Sequence, residues 1–198
     1  MLVDDKLTTG NLSVINKESG APSDYVNVIV ANPDGGFWVG TDKGLYDYDG
    51  TNFKQISAVN SGVKAILKDA DGNVWVGTTN AGVVLIKNGG GTKKYTREHG
   101  LATNSIATIF QDNKGTIYIG TANAGVSKHL ADLEANGYEG PIFQTIGMEQ
   151  GLSSNRVLSM IQDRERNIWI GTSLNLNQYF DEQFEIYGGQ EGLRNSLI

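Results

Sequence analysis

The sequence predicts an all-β fold: a β-propeller segment of four four-stranded blades, forming an incomplete or partner-completed ring. Three observations carry that expectation. An aromatic residue, a β-branched residue, Gly and Thr recur in order as Trp38-Val39-Gly40-Thr41, Trp75-Val76-Gly77-Thr78, Tyr118-Ile119-Gly120-Thr121 and Trp169-Ile170-Gly171-Thr172. Successive copies lie 37, 43 and 51 residues apart, a period that suits propeller blades. An apolar run starts twelve residues before every aromatic, at Val26, Val63, Ile106 and Val157.

The elements follow from this ruler. The runs Val26 to Val30, Val63 to Leu67, Ile106 to Phe110 and Val157 to Ile161 are apolar on both faces near their ends, as expected of innermost strands covered on both sides. Each is followed by a turn that opens with Asn or Asp six residues before the aromatic: Asn32, Asp69, Asp112 or Asp163. Such a side chain bonds backbone two residues on, and a later Gly supplies positive φ. The fourth turn has Arg166 where the others have Gly, which predicts a different or strained turn. These acidic turns lack the carboxylate alternation and terminal Glu of an EF-hand loop. The tetrapeptide is the second strand, its aromatic packed between blades. The next turn contains Gly44, Gly82 or Gly125, with Asn175 in the fourth copy as the expected left-handed substitute. Third strands are expected at 45–48, 83–87, 126–130 and 176–180, and outer strands at 53–56, 94–96, 143–146 and 184–187.

A second signature links the blades. Glu, then Gly-Leu, then Asn or Asp recurs in Glu98 to Asn104, Glu149 to Asn155 and Glu191 to Asn195, with a variant at Glu18 to Asp24. The single propeller region 1–198 therefore divides into blades at about 24–58, 59–103, 104–154 and 155–190. Residues 12–16 read as the outer strand of a preceding blade and 191–198 as the start of a next one. The arrangement reads as a segment of a longer array whose open edges recruit neighbouring blades or a second copy. An insertion, residues 131–141, lengthens the third blade and has the composition of a helical turn.

Bulk properties narrow the function. Of 198 residues 26 are Gly and three Pro, which fits many tight turns. The formal charge is −6, against the basic surface that duplex binding needs, so no direct nucleic-acid partner is expected. There is no Cys, hence no disulfide framework or thiolate metal site. The first residues lack the pattern of a signal peptide, and no stretch approaches the roughly 20 apolar residues of a membrane span.

With both signatures in place, the sequence resembles the two-component regulator propeller repeat. Gly151-Leu152-Ser153-Ser154-Asn155 through Gln162-Asp163 to Trp169-Ile170-Gly171-Thr172 carries the likeness most fully. The resemblance covers residues 12 to 198. It implies the periplasmic sensor region of a bacterial hybrid two-component histidine kinase: a non-catalytic module that binds a small-molecule ligand, with an oligosaccharide as the candidate class. The alternatives are a propeller enzyme acting on glycans, of lyase or glycosidase type, and a plain interaction scaffold. No kinase motif, nucleophile elbow, phosphate loop or His-rich metal motif is present, so no catalytic residue, metal or cofactor is assigned.

One end of a propeller carries the loops between second and third strands together with the blade linkers. The candidate ligand residues there are Asp42, Lys43, Asn80, Asn123 and Asn175 from the loops, and His99, Asn104, Asn155 and Arg156 from the linkers. Asn at equivalent places suits sugar hydroxyls, and also suits turn chemistry that every blade needs. The non-repeated residues Lys43, His99 and Arg156 are therefore the stronger candidates. His129 falls on a third strand and reads as packing.

Overall fold

The computed structural model describes residues 13–33, 35–180 and, for backbone alone, 183–187. They form four antiparallel meanders, each ordered from the innermost strand outward. Blade one is β1 (Val26–Ala31), β2 (Phe37–Thr41), β3 (Leu45–Tyr48) and β4 (Phe53–Gln55). Blade two is β5 (Val63–Lys68), β6 (Val74–Thr78), β7 (Val83–Ile86) and β8 (Thr92–Tyr95). Blade three is β9 (Ile106–Gln111), β10 (Ile117–Thr121), β11 (Val126–His129) and β12 (Phe143–Ile146), with the helix α1 (Ala131–Ala135) between its outer strands. Blade four is β13 (Val157–Gln162), β14 (Ile168–Thr172), β15 (Leu176–Phe180) and β16 (Gln183–Tyr187). The tetrapeptide ends the second strand of every blade.

Apolar side chains on both faces force the blades to stack, because one four-stranded sheet cannot cover either face itself. Three cores result, one per junction. Trp38 and Leu45 of blade one, with Val59 of the connection, meet Val63, Val74, Val76 and Val84 of blade two. Trp75, Val83, Tyr95 and Leu101 meet Ile106, Ile117, Ile119 and Phe143. Tyr118, Val126, Ile146 and Leu152 meet Val157, Ile168 and Ile170. Trp38, Trp75 and Tyr118 thus pack between blades, as expected, whereas Trp169 of blade four belongs to none of the three cores and is half-buried.

The tetrapeptide Gly is fixed by this stacking. A Cβ on Gly77 would lie 2.5 Å from Ile106 Cγ2, and one on Gly120 would lie 2.6 Å from Val157 Cγ1. One on Gly40 would lie 2.6 Å from Val63 Cγ1. Each of these glycines lets the first residue of the next inner strand sit directly against the sheet. Gly171 meets only Ser159, whose Oγ lies 2.8 Å from the would-be Cβ.

The outermost faces are open. Ile29 and Phe37, on the leading face of blade one, are 60% and 46% exposed, whereas their counterparts Ile109 and Ile117 in blade three are buried. On the trailing face of blade four Leu176 is 45% exposed, whereas its counterparts Leu45, Val83 and Val126 are completely buried. An apolar groove of about 380 Å³ runs along the leading face, and Ile15, Pro22, Val26 and Phe53 help line it.

The linker signature is a capped 3-10 turn. Lys17–Ser19, Arg97–His99 and Met148–Gln150 each end on a left-handed Gly: Gly20, Gly100 and Gly151. The Glu of the signature sits in the middle of that turn. Residues 13–16, the described part of the expected leading strand, form no strand and run into the first of these turns. The expected start of a further blade at 191–198 lies outside the described residues.

Two turn expectations divide. Arg166 has φ 74° and is the one described residue other than Gly in the left-handed region, as its place in the fourth turn required. Asn175 is not left-handed. Thr172 Oγ1 still donates to Asn175 O at 3.0 Å, as the equivalent Thr does in every blade, so the loop closes without a left-handed residue at this position.

Candidate functional site

The Thr of each tetrapeptide positions the loop after it. Thr41, Thr78, Thr121 and Thr172 are buried. Their Oγ1 atoms donate to the carbonyls of Gly44, Gly82, Gly125 and Asn175. The same oxygens accept from the backbone of Lys43, Ala81, Ala124 and Asn175. The residue after each Thr then ties the loop to the linker. The amides of Asp42, Thr79, Ala122 and Ser173 donate to the carbonyls of Tyr25, Gly62, Ser105 and Arg156, at 2.8–3.3 Å. Loops and linkers therefore share one end of the molecule, as expected.

Just beyond these carbonyls, all four inner strands carry a β-bulge. The register slips between Val26 and Val28, between Val63 and Ala65, and between Val157 and Ser159, and the matching slip in blade three passes over Ala107. The bulged residues are Asn27, Lys64, Ala107 and Leu158. A bulge withdraws its residue from the ladder and re-aims the side chain. Here three of the four line a concavity of about 310 Å³ along the inner strands, together with Thr79, Ser105 and Arg156. The scaffold is the same in every blade, yet its two presented columns differ throughout: Tyr25, Gly62, Ser105 and Arg156 in one, Asn27, Lys64, Ala107 and Leu158 in the other.

Of the nine sequence candidates, Arg156 alone lines this concavity. Asn104 and Asn155 are committed to their linkers. Their Oδ1 atoms accept from Arg97 N at 3.0 Å and Met148 N at 2.9 Å, while their carbonyls accept from Gly82 N and Gly125 N. Asn80 accepts from Ser61 Oγ at 2.6 Å. Asp42 accepts from Ser23 Oγ and pairs with Lys43 at 3.6 Å. The Ser23 hydroxyl, with Lys43, holds the Asp42 carboxyl below the usual carboxylate range. Asn123 is exposed on its loop, and Asn175 is half-buried in its own. His99 lies with the outer strands: its Nδ1 accepts from Thr96 N at 3.2 Å, its ring meets Tyr95 edge-on, and its carbonyl accepts from Ile142 N.

Sequence reasoning missed the bulge column. Its signal was present: the second residue of each inner strand varies where the residues on either side are mostly β-branched or small.

It also missed a polar cluster at the outer edge of the second junction. Glu134, on α1, reaches back to blade two and accepts from Tyr95 Oη at 2.9 and 3.1 Å and from Lys93 Nζ. It also receives His129 Nε2 at 2.6 Å. Burial pushes the His129 imidazole below its usual value, against the opposing pull of Glu134. It also drives the Tyr95 phenol well up, and Glu134 adds to that. For Glu134 burial pulls upward, but the bonds from Lys93, Tyr95 and His129 prevail and keep its carboxyl low. A neutral His129 therefore donates its Nε2–H to a charged carboxylate. Both ring nitrogen and carboxylate are occupied, and the cluster fastens the insertion to blade two.

The turns between first and second strands sit at the opposite end. Their Asp side chains are also taken. Asp69 accepts from Asn73 N and, at 2.8 Å, from Trp75 Nε1. Asp163 does the same for Asn167 N and Trp169 Nε1. A smaller cavity of about 250 Å³ lies at this end between blades three and four, beside Asp112, Gln162 and Arg166.

The family model described as two component regulator propeller matches residues 57–80, 100–123 and 151–173, each match running from a linker through an inner strand. These are two-component regulator propeller repeats. The first matched repeat belongs to blade two, and the linker before blade one has Ala21 where the later ones have Leu101 and Leu152. Among solved structures, the extracellular domain of a B. thetaiotaomicron protein described as a one-component system superposes with a TM-score of 0.69 at 16% identity, over 85% of this chain and 25% of that one. That of a protein from the same organism described as a hybrid two-component system gives 0.65 at 21% identity, over 82% and 23%. Virginiamycin B lyase from Staphylococcus aureus gives 0.64 at 11% identity, over 86% and 57%. At these identities the likeness is one of fold. The chain spans about a quarter of the length of the two extracellular domains. No match is found among curated proteins.

Proposed function

We propose that the chain is the ligand-recognition part of a two-component sensor propeller, working outside the cytoplasm, and that it binds a saccharide against the axial concavity without turning it over. One observation carries this reading: a uniform hydrogen-bonded scaffold presents two columns of side chains that differ in every blade. Packing demands the scaffold, but it makes no demand for Arg156, Lys64 and Leu158 at its inner rim. The matched repeats and the two extracellular domains of similar fold agree with it.

The lyase likeness supplies the second reading, a propeller enzyme. The distribution of acid–base groups favours the first. Among the described residues no His, Asp or Glu lines the concavity, and His129 and His99 are both engaged at the outer edge. The open faces of blades one and four fit neighbouring blades or a second copy, so self-association belongs to the same proposal.

Thermal shift and Trp fluorescence with a panel of oligosaccharides, followed by product analysis, test the function. Binding with unchanged ligand supports the sensor. Product formation overturns it in favour of the enzyme, and no response to any glycan leaves an interaction scaffold. Light scattering reads the assembly, since a mass of 21.3 kDa would rule out pairing of the open faces between copies.

A further inference from the structure

We propose that the axial concavity selects an anionic group, a carboxylate or a sulfate ester carried on the ligand, through Arg156 and Lys64. This rests on the axial ligand site proposed above and adds the chemistry that the site prefers. The chain is acidic overall, at −6, yet among the described residues the ionisable ones lining the concavity are two cations, with no carboxylate.

Each cation is presented, not neutralised. Lys64 sits on a bulge and donates from Nζ to Asn27 Oδ1 at 2.9 Å, a neutral acceptor that orients the ammonium and leaves its charge. Arg156 is held through its backbone, its amide donating to Ser154 Oγ at 3.2 Å and its carbonyl accepting from Ser173 N at 3.0 Å. Among the described residues neither side chain has an ion-pair partner. Lys17, Lys43 and Lys93, by contrast, each pair with a carboxylate. A guanidinium offers a two-pronged donor fork and an ammonium a point charge, and both suit the oxygens of a carboxylate or sulfate. Leu158 and Ala107 supply apolar contact for a sugar face, and Thr79 and Ser105 supply hydroxyls beside it.

Calorimetric titration of the chain with digalacturonate, galactose 6-sulfate and neutral galactobiose tests the proposal. The variants are Arg156→Gln, Lys64→Gln and, as a charge control away from the concavity, Lys87→Gln, each checked for an unchanged melting curve. The expected result is binding of an acidic probe in preference to galactobiose. Arg156→Gln and Lys64→Gln should each weaken it about tenfold or more, the scale of one charge-assisted hydrogen bond. Lys87→Gln should leave it unchanged. Affinity should fall as salt rises above about 0.1 M, because the cations are exposed. Binding of digalacturonate alone identifies a carboxylate, of galactose 6-sulfate alone a sulfate ester, and of both an unselective anion site; all three support the proposal. Galactobiose binding as tightly as the acids, with both variants unaffected, overturns anion selectivity and leaves the saccharide site standing. Failure of every probe to bind overturns both.

Discussion

Replacing Glu134 by Ala removes the one carboxylate that satisfies three donors at the second junction. Tyr95 is 1% exposed and His129 8%, so the hydroxyl and the imidazole N–H are stranded where water cannot replace the lost acceptor. An unsatisfied buried polar group costs about 1–3 kcal/mol. Lys93 is 40% exposed at its side chain and re-solvates, so it adds little. The sum over the two groups is about 2–6 kcal/mol, which in a chain of this size lowers the melting temperature by roughly 4–24 °C. Glu134→Gln retains an acceptor for the Tyr95 hydroxyl and should lose less than half as much. The decisive assay is a double-mutant cycle with Tyr95→Phe. Once the hydroxyl is gone it cannot be stranded, so Glu134→Ala should cost about 1 kcal/mol less in that background. A melting temperature for Glu134→Ala within about 1 °C of wild type would show that the insertion is not fastened through this carboxylate. Additivity with Tyr95→Phe would show the same of the Tyr95 bond.

Three further outcomes are expected. Gly77→Ala pushes a methyl into Ile106 and should destabilise by about 1–3 kcal/mol in chemical denaturation, whereas Gly171→Ala meets only the rotatable Ser159 hydroxyl and should stay within about 0.5 kcal/mol. If a second copy covers blade four, Gly171→Ala should instead weaken the dimer in sedimentation while leaving the monomer's melting unchanged. Arg166→Gly relieves a left-handed backbone at φ 74° and should stabilise by about 1 kcal/mol, read from the same denaturation curves. The lowered His129 value means that the unfolded chain takes up a proton more readily than the folded one. Its contribution is thus complete above about pH 6.5 and is lost as pH falls through the folded value. Melting temperatures between pH 8 and pH 5 should therefore fall more steeply for wild type than for His129→Gln.

The blade count and strand order were legible because packing between blades imposes the same Gly and aromatic at the same spacing each time. Gly77 against Ile106 is one instance, and the constraint is local enough to show in a sequence. The linker residues were legible as positions but not as roles. Asn104 and Asn155 repeat because a 3-10 turn needs a side-chain acceptor for its first amide, and that requirement looks the same in sequence as a repeated ligand contact. Lys64 and Leu158 were hidden by the bulge. A residue inserted into a strand shifts the two-residue alternation, so inward and outward faces cannot be read across it. Glu134 was hidden for another reason: its partners Lys93 and Tyr95 lie about forty residues earlier, brought together by an insertion outside the repeat.

The linkers tie each blade to the one before it as well as the one after. Asn104 holds its own turn with its side chain and the loop of blade two with its carbonyl, and Asn155 does the same for blade three. Mechanically the blades are stiff vanes joined by short straps at their narrow ends, with the concavity spanning three of those ends. In such a fan, angles add from strap to strap. A ligand gripping the hub would change each angle slightly and swing the far rim by their sum, so the broad outer edge would report what the hub holds.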